Sequence, residues 1–181
     1  MSIAHTWNTT PDERARAYAC DGIIAGKAAA LYRAIDVAAP ASLVFRWLCQ
    51  LRAAPYSYDW LDNRGRRSPQ ALRPSLEDLR VGQPVMRIFD LVSFERDAHI
   101  TAVLRNRGLS RHIFGQLAAT YAVIPITDTA SRIVIKIAVR YPPPPHGWLV
   151  RLLLPWGDLI MMRKQLLNLK RLAERDAHAG R

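Results

Sequence analysis

The clearest pattern along the chain is an alternation of apolar and polar positions in its middle part. Ile133, Ile135 and Ile137 alternate with more polar residues, which is the period of two of a strand with one buried face. Short polar joints separate the β-patterned segments, so the sequence predicts an antiparallel meander. The predicted strands are residues 85–94, 98–104, 114–126 and 132–141.

The register of the last hairpin decides which side chains face the interior. If Ile126 pairs with Ser131, then Ala122 and its small neighbours join the isoleucine face and leave space beneath the sheet. A loop one residue longer or shorter instead brings Tyr121 and Val123 inward. Both registers give the sheet one apolar face, and the sequence leaves the choice open.

Helical patterns lie on both sides of this β region. Thr10 and Pro11 are typical of a helix start. Ser57 and Asp59 are residue types that cap helices, so they are candidate caps of a second short helix. The predicted order before the meander is a helix at 11–18, a strand at 27–37, a helix opening at 40–42, a short helix starting in 56–61 and a long loop at 63–80.

A long helix follows the four prolines at 142–145. Its apolar residues keep a three-four spacing that predicts one face packed on the sheet. Pro155 and Gly157 are expected to kink the helix or delay its start. The stripe consists of Leu152, Trp156, Leu159, Met162, Leu166, Leu169 and Ala173.

Several segments resemble a bacterial branch of the SRPBCC superfamily, the START-related and pollen-allergen-like proteins often described as polyketide cyclase/dehydrase. The YSYDW run at 56–60 is the most specific of them. This branch typically has a Gly-rich stretch before that run, where this chain has Arg52-Ala53-Ala54-Pro55. The matching segments are WNTTPDE (7–13), RAIDVAAP (33–40), WLCQL (47–51), YSYDWL (56–61), LEDLRVG (76–82) and MRKQLLNLKRLAE (162–174).

The resemblance implies an α+β helix-grip fold, in which a curved antiparallel sheet wraps around a long C-terminal helix, with two short helices after the first strand. It also implies a cavity for a small hydrophobic or amphipathic ligand between sheet and helix, which we expect to be reached past the loop at 63–80. We expect residues 1–26 to form an N-terminal extension and residues 27–181 a single ligand-binding domain.

Ten residues are candidate ligand contacts, because ligand cavities are lined by aliphatic and aromatic side chains with a few polar groups. The alternative for each is an ordinary place in the core. The candidates are Tyr58, Trp60, Phe89, Ala122, Ile135, Ile137, Trp156, Leu159, Met162 and Leu166.

Catalytic and metal chemistry have little support in the sequence. The five histidines are scattered without ligand spacing, and phosphate loops and hydrolase motifs are absent, so no metal or cofactor is expected. Asp90, Glu95 and His99 are candidate acids or bases by residue type, with exposed strand positions as the alternative. Cys20 and Cys49 are expected to be reduced thiols.

The formal charge of +11 is the one unusual feature of the composition. Arginines are spread along the whole chain, and the only tight cluster is Arg64, Arg66 and Arg67. Specific nucleic-acid binding is therefore not expected. The N-terminus is unlike a secretory signal and no apolar run reaches membrane-spanning length, so we expect a cytoplasmic protein, as monomer or homodimer.

Three hypotheses remain at this point. A binding protein that holds a lipid, polyketide or similar molecule is favoured, because no catalytic constellation is evident. A polyketide cyclase or aromatase would require an inward ionisable side chain near the cavity. A co-chaperone or membrane-surface module would show a collapsed cavity and a contiguous basic or apolar outer patch.

Overall fold

Six antiparallel strands form one sheet in the computed structural model, which describes residues 2–105 and 113–180. The strand order is β1-β6-β5-β4-β3-β2, so the first strand lies beside the last and the remaining connections follow the meander. The strands are β1 (Ala29–Val37), β2 (Pro84–Val85), β3 (Phe89–Glu95), β4 (His99–Leu104), β5 (Gln116–Thr127) and β6 (Ala130–Arg140).

One long helix and several short ones accompany the sheet. They are α1 (Ile3–Thr6), α2 (Pro11–Ala15), α3 (Ala41–Cys49), α4 (Asp59–Asp62) and α5 (His146–Ala179), with single 3₁₀ turns at Gln50–Arg52 and Pro74–Leu76. The predicted α+β helix-grip architecture is confirmed: α5 and α3 pack on one face of the sheet.

The main core lies between that inner face, α3 and α5. Every second side chain of β6 faces this core, and Ile133 and Ile135 are examples. They pack with Trp47 of α3 and Leu166 of α5, and all four residues are at most 1% exposed. Because α5 contributes buried residues only from one side, its C-terminal half is a typical amphipathic helix on a sheet.

The outer face of the sheet is covered in part by the N-terminal segment. Tyr18 and Cys20 pack against Tyr32 and Val134 in a second, smaller cluster. Lys136 lies about 5.5 Å from the ring centre of Tyr18, a cation–π distance. Residues of the predicted extension thus contact the sheet directly, and the isolated bridge of Trp7 with the first strand adds to this contact.

The last hairpin adopts the second of the two registers considered above. Tyr121 pairs with Ile135 and Val123 with Ile133, so both side chains face the core. A two-residue turn and an irregularity between Pro125 and Thr127 produce this register. Ala122 therefore lies on the outer face, and the expectation that it faces the interior is wrong.

The long helix begins at His146, directly after the four prolines as predicted, and continues through Pro155 without the expected delay of its start. Gly147 permits this start, since a Cβ there would meet the carbonyl oxygen of Pro142 at 1.7 Å. Two residues of the predicted stripe, Leu152 and Trp156, are 56% and 50% exposed, so the N-terminal part of that stripe does not face the sheet. From Met162 onward the predicted stripe is buried.

Three smaller expectations need correction. The strand predicted at 85–94 is interrupted, because Met86 and Arg87 both have positive φ and separate β2 from β3. Ser57 and Asp59 do not cap α4, whose N-cap is Tyr58. The Ser57 hydroxyl instead donates to the carbonyl of Met161, and α1 was not anticipated at all.

Candidate functional site

A pocket of about 260 Å³ lies between the inner face of the sheet and the middle of α5. Ile88 in its wall is 42% exposed, so the pocket reaches the protein surface. The volume is close to the lower end of the roughly 300–1,000 Å³ typical of small-molecule sites. We call it the central pocket.

The wall of the central pocket is predominantly apolar. The sheet contributes side chains from β3, β4, β5 and β6, and α5 contributes two methionines and a leucine. Methionine side chains are flexible and polarisable, so they adapt to ligands of different shape. The apolar residues are Pro55, Met86, Ile88, Phe89, Leu104, Phe114, Leu117, Ala119, Ile137, Leu154, Met161 and Met162.

Two of the polar side chains in the wall are hydrogen-bonded to each other. The Tyr121 hydroxyl donates to Oε1 of Gln165 at 2.8 Å, and Nε2 of Gln165 donates to the carbonyl of Pro55 at 2.6 Å. Burial raises the pKa of Tyr121 far above its ordinary value, so the phenol stays neutral. This chain of hydrogen bonds joins β5 to α5 and to the segment before α4.

An ion pair reaches another part of the wall through Asp158. Arg33 of β1 is fully buried on the inner face, and its guanidinium donates to Oδ2 of Asp158 at 2.7 Å. It also donates to the carbonyls of Ala4 and Pro155. Burial raises the pKa of Asp158 to about 6, although Arg33 acts in the opposite direction. Burial likewise lowers the pKa of Arg33.

Asp62 is the most unusual group in the wall. Both of its carboxyl oxygens are buried, and neither has a hydrogen-bond partner of good geometry among the described residues, although the nearby Ser57 hydroxyl and the backbone of Tyr58 and Asp62 hold its pKa down in part. Burial raises the pKa of Asp62 above its ordinary value. A buried polar group without a partner costs free energy, so it is a candidate contact for a polar group of a ligand.

The predicted ligand contacts are divided among several places. Phe89, Ile137 and Met162 lie in the wall of the central pocket. Ile135 and Leu166 are fully buried core residues, Leu159 is partly buried on the same side of α5 as Leu166, and Trp156 is exposed on the outside of α5. The other three are Tyr58 and Trp60, which line a separate surface depression beside α5, and Ala122 on the outer face of the sheet.

Sequence reasoning missed Asp62, Asp158 and Arg33. Parity along β1 was an available signal for Arg33, because Leu31 and Ile35 on either side of it face the core. No wall residue comes from the loop at 63–80, so the expected access past that loop has no support in the described residues.

The three candidate acids and bases lie away from the central pocket. Asp90 accepts from Nε of Arg105 at 2.6 Å, and His99 pairs with Ala122 on the outer side of the sheet, 3.8 Å from Glu95. These are surface strand positions of the ordinary kind. None of them lines the central pocket.

The part of the chain that the structure describes contains neither a cluster of metal ligands nor a membrane-spanning helix. Within residues 2–105 and 113–180, no three His, Cys, Asp or Glu side chains are grouped to hold a metal ion. His112, one of the scattered histidines, lies outside these ranges. Of the helices described, none is both long and apolar enough to cross a bilayer. Cys20 and Cys49 are both buried and unbridged.

Many solved structures share this architecture. No protein-family model matches the chain, and no curated protein is significantly similar in sequence. A protein of Nitrosospira multiformis superposes with a TM-score of 0.55 at 13% identity, over 84% of this chain and all of that one.

An aromatase/cyclase, Zhui from Streptomyces, gives a TM-score of 0.50 at 11% identity, over 84% of this chain and 94% of its own. A START superfamily protein from Mycobacterium smegmatis gives 0.45 at 14% identity, over 84% and 99%. At such identities the likeness concerns the fold. The chain thus has a helix-grip fold, which it shares with the Nitrosospira protein and with Zhui.

Proposed function

We propose that this protein binds a small, mainly apolar molecule in the central pocket, with one hydrogen-bonding group of the ligand directed at Asp62. The observation that carries the proposal is an apolar pocket whose wall includes a buried carboxyl group without a partner. A pocket of this size favours a compact ligand over a lipid with two long acyl chains.

The chemistry of Asp62 narrows the ligand class. In the ionised form the carboxylate accepts hydrogen bonds from a hydroxyl or an amine, and in the protonated form it also donates to a carbonyl. Gln165 and Tyr121 already have hydrogen-bond partners within the protein, so they have less hydrogen-bonding capacity left for a ligand. A ring or short chain with a hydroxyl, amine or carbonyl group fits this wall.

Native mass spectrometry of gently purified protein, followed by denaturation of the same sample, tests the proposal. A retained molecule should be apolar, carry at least one such polar group and be lost in the Asp62→Leu variant. The matched control is Asp12→Leu in exposed α2, which should retain it. Retention by both variants would contradict the role of Asp62.

Protein that purifies empty calls for a second assay. Titration with an apolar fluorescent probe should then show saturable binding that a pocket-filling substitution removes. Probe binding that is absent, or that survives such a substitution, would contradict the proposal.

A second candidate function, a cyclase-type enzyme, is favoured by one observation. Asp62 and Asp158 both line the pocket, and burial raises the pKa of each, to about 6 for Asp158, which suits a carboxylic acid that exchanges a proton with a substrate. Zhui, the aromatase/cyclase with this fold, is a further reason to test it.

Incubation with a linear poly-β-ketone thioester, analysed by mass spectrometry, separates the two functions. An enzyme should release water from the substrate, and the conservative Asp62→Asn variant should lose turnover while it still binds the probe. If the protein only binds its ligand, the thioester should remain unchanged with both the parent protein and the Asp62→Asn variant.

A further inference from the structure

The N-terminal half of α5 exposes an unusual amount of apolar surface. Six large residues there are between 48% and 72% exposed, although exposed apolar residues on soluble domains are normally scattered singly. They are Trp148, Leu149, Leu152, Leu153, Trp156 and Ile160.

Most of these residues share one side of the helix. Leu149, Trp156 and Ile160 are separated by seven and four residues, which returns an α-helix to nearly the same direction. Asp158 and Gln165, also seven residues apart, point the opposite way into the central pocket. The helix is therefore apolar on its outer face while its inner face lines the pocket.

Basic residues flank this outer face. Arg163 and Lys164 are exposed in the turn that follows Ile160. Between His146 and Glu174 the sequence contains a single acidic residue, Asp158, and Arg33 neutralises it on the inner side. The exposed charge along this length of α5 is thus entirely positive.

The segment around α4 extends the same surface. Trp60 and Leu61 are 74% and 59% exposed, and the arginine-rich stretch at 64–67 follows them. Arg67 and Lys164 line one surface depression, so this stretch lies beside α5. We call the six apolar residues of α5, with Trp60 and Leu61, the apolar face.

We propose that the apolar face docks on the surface of a bilayer that contains anionic phospholipids. Exposed indole rings and leucines on one side of a helix, flanked by Arg and Lys, are the composition of an interfacial helix. Positive charge close to the bilayer is attracted by anionic headgroups.

A second copy of this chain fits the face less well. Two copies would bring Arg163 and Lys164 against the same residues, and this length of α5 offers no outward acid to pair with them. Docking would also place the outer side of the pocket helix against the membrane, where apolar small molecules concentrate.

Vesicle co-sedimentation of the full chain tests the proposal directly. Binding to phosphatidylcholine vesicles that contain phosphatidylglycerol should exceed binding to pure phosphatidylcholine by at least about tenfold, and added salt should weaken it. Emission from the exposed tryptophans should shift to shorter wavelength on binding.

Two isoleucines of equal exposure provide a matched pair of variants. Ile160 in the apolar face is 56% exposed and Ile126 in the distant β5–β6 hairpin is 55% exposed. Ile160→Ser should lower vesicle binding by several-fold, and Ile126→Ser should leave it unchanged. Because both sites are exposed, thermal unfolding of each variant should remain close to that of the parent chain.

Two outcomes would overturn the proposal. One is a result of the vesicle assay in which the parent chain does not bind the anionic vesicles, or in which Ile160→Ser and Ile126→Ser lose vesicle binding equally. The other is a dimer in analytical ultracentrifugation that Ile160→Ser dissociates, without vesicle binding by the parent chain, which would assign the face to a second copy.

Discussion

Two adjacent leucines of α5 allow a stringent test of how this helix is oriented. Leu166 is fully buried between α5 and the sheet, whereas Leu167, one residue later, is 38% exposed. Truncation of a fully buried leucine leaves a cavity and removes apolar contacts, which costs about 3 kcal/mol of unfolding free energy within a usual range of 2–5. The same truncation at Leu167 should cost less than about 0.5 kcal/mol.

Urea denaturation followed by circular dichroism and by tryptophan fluorescence measures both costs. The Leu166→Ala midpoint should fall while the denaturant slope stays constant, and the melting temperature should drop by about 6–12 °C for a domain of this length. Equal costs at the two positions, or a cost below about 0.5 kcal/mol for Leu166, would refute the orientation of α5.

The buried acids and the net charge give three further predictions. Because the pKa of Asp158 is raised, the folded state binds more protons than the unfolded state between about pH 4 and 6. The unfolding free energy should therefore fall as pH rises through this window. Asp158→Asn should reduce the slope of unfolding free energy against pH, measured by urea denaturation. Asp62→Leu should raise the unfolding free energy by at least about 0.5 kcal/mol because it removes an unpartnered buried carboxyl, whereas a loss would mean that the carboxyl has a partner. Retention on DNA should be sequence-independent and vanish near physiological ionic strength; submicromolar binding at that salt would contradict it.

The sheet could be predicted from the sequence because its strands alternate clearly, but the register of β5 and β6 could not. The side chains of both possible inner sets, around Tyr121 and around Ala122, are apolar or small. Their choice depends on one extra residue near Pro125, an irregularity that no pattern of hydrophobicity records.

The orientation of the N-terminal half of α5 was mispredicted for a related reason. This stretch is apolar on both sides, so three-four spacing fits an inward set that starts at Leu154 as well as the outward set with Leu152 and Trp156. The C-terminal half was predicted correctly, because charged residues there mark the solvent side.

The polar groups of the pocket were the least predictable part. Charged residues are expected at the surface, and nothing local distinguishes Asp62 or Asp158 from exposed aspartates. Their burial follows from the packing of α5 and the α4 segment over the sheet.

Substitution of two alanines on one strand tests the central claim, that the pocket binds an apolar ligand. Ala119 lies in the wall of the central pocket, and Ala122, three residues later on β5, lies half-buried on the opposite face of the sheet. Binding of an apolar fluorescent probe is measured for Ala119→Phe and Ala122→Phe, with circular dichroism as the check that each variant is folded. The account predicts that Ala119→Phe fills the pocket and abolishes probe binding while Ala122→Phe preserves it. Undiminished binding by folded Ala119→Phe protein would contradict it.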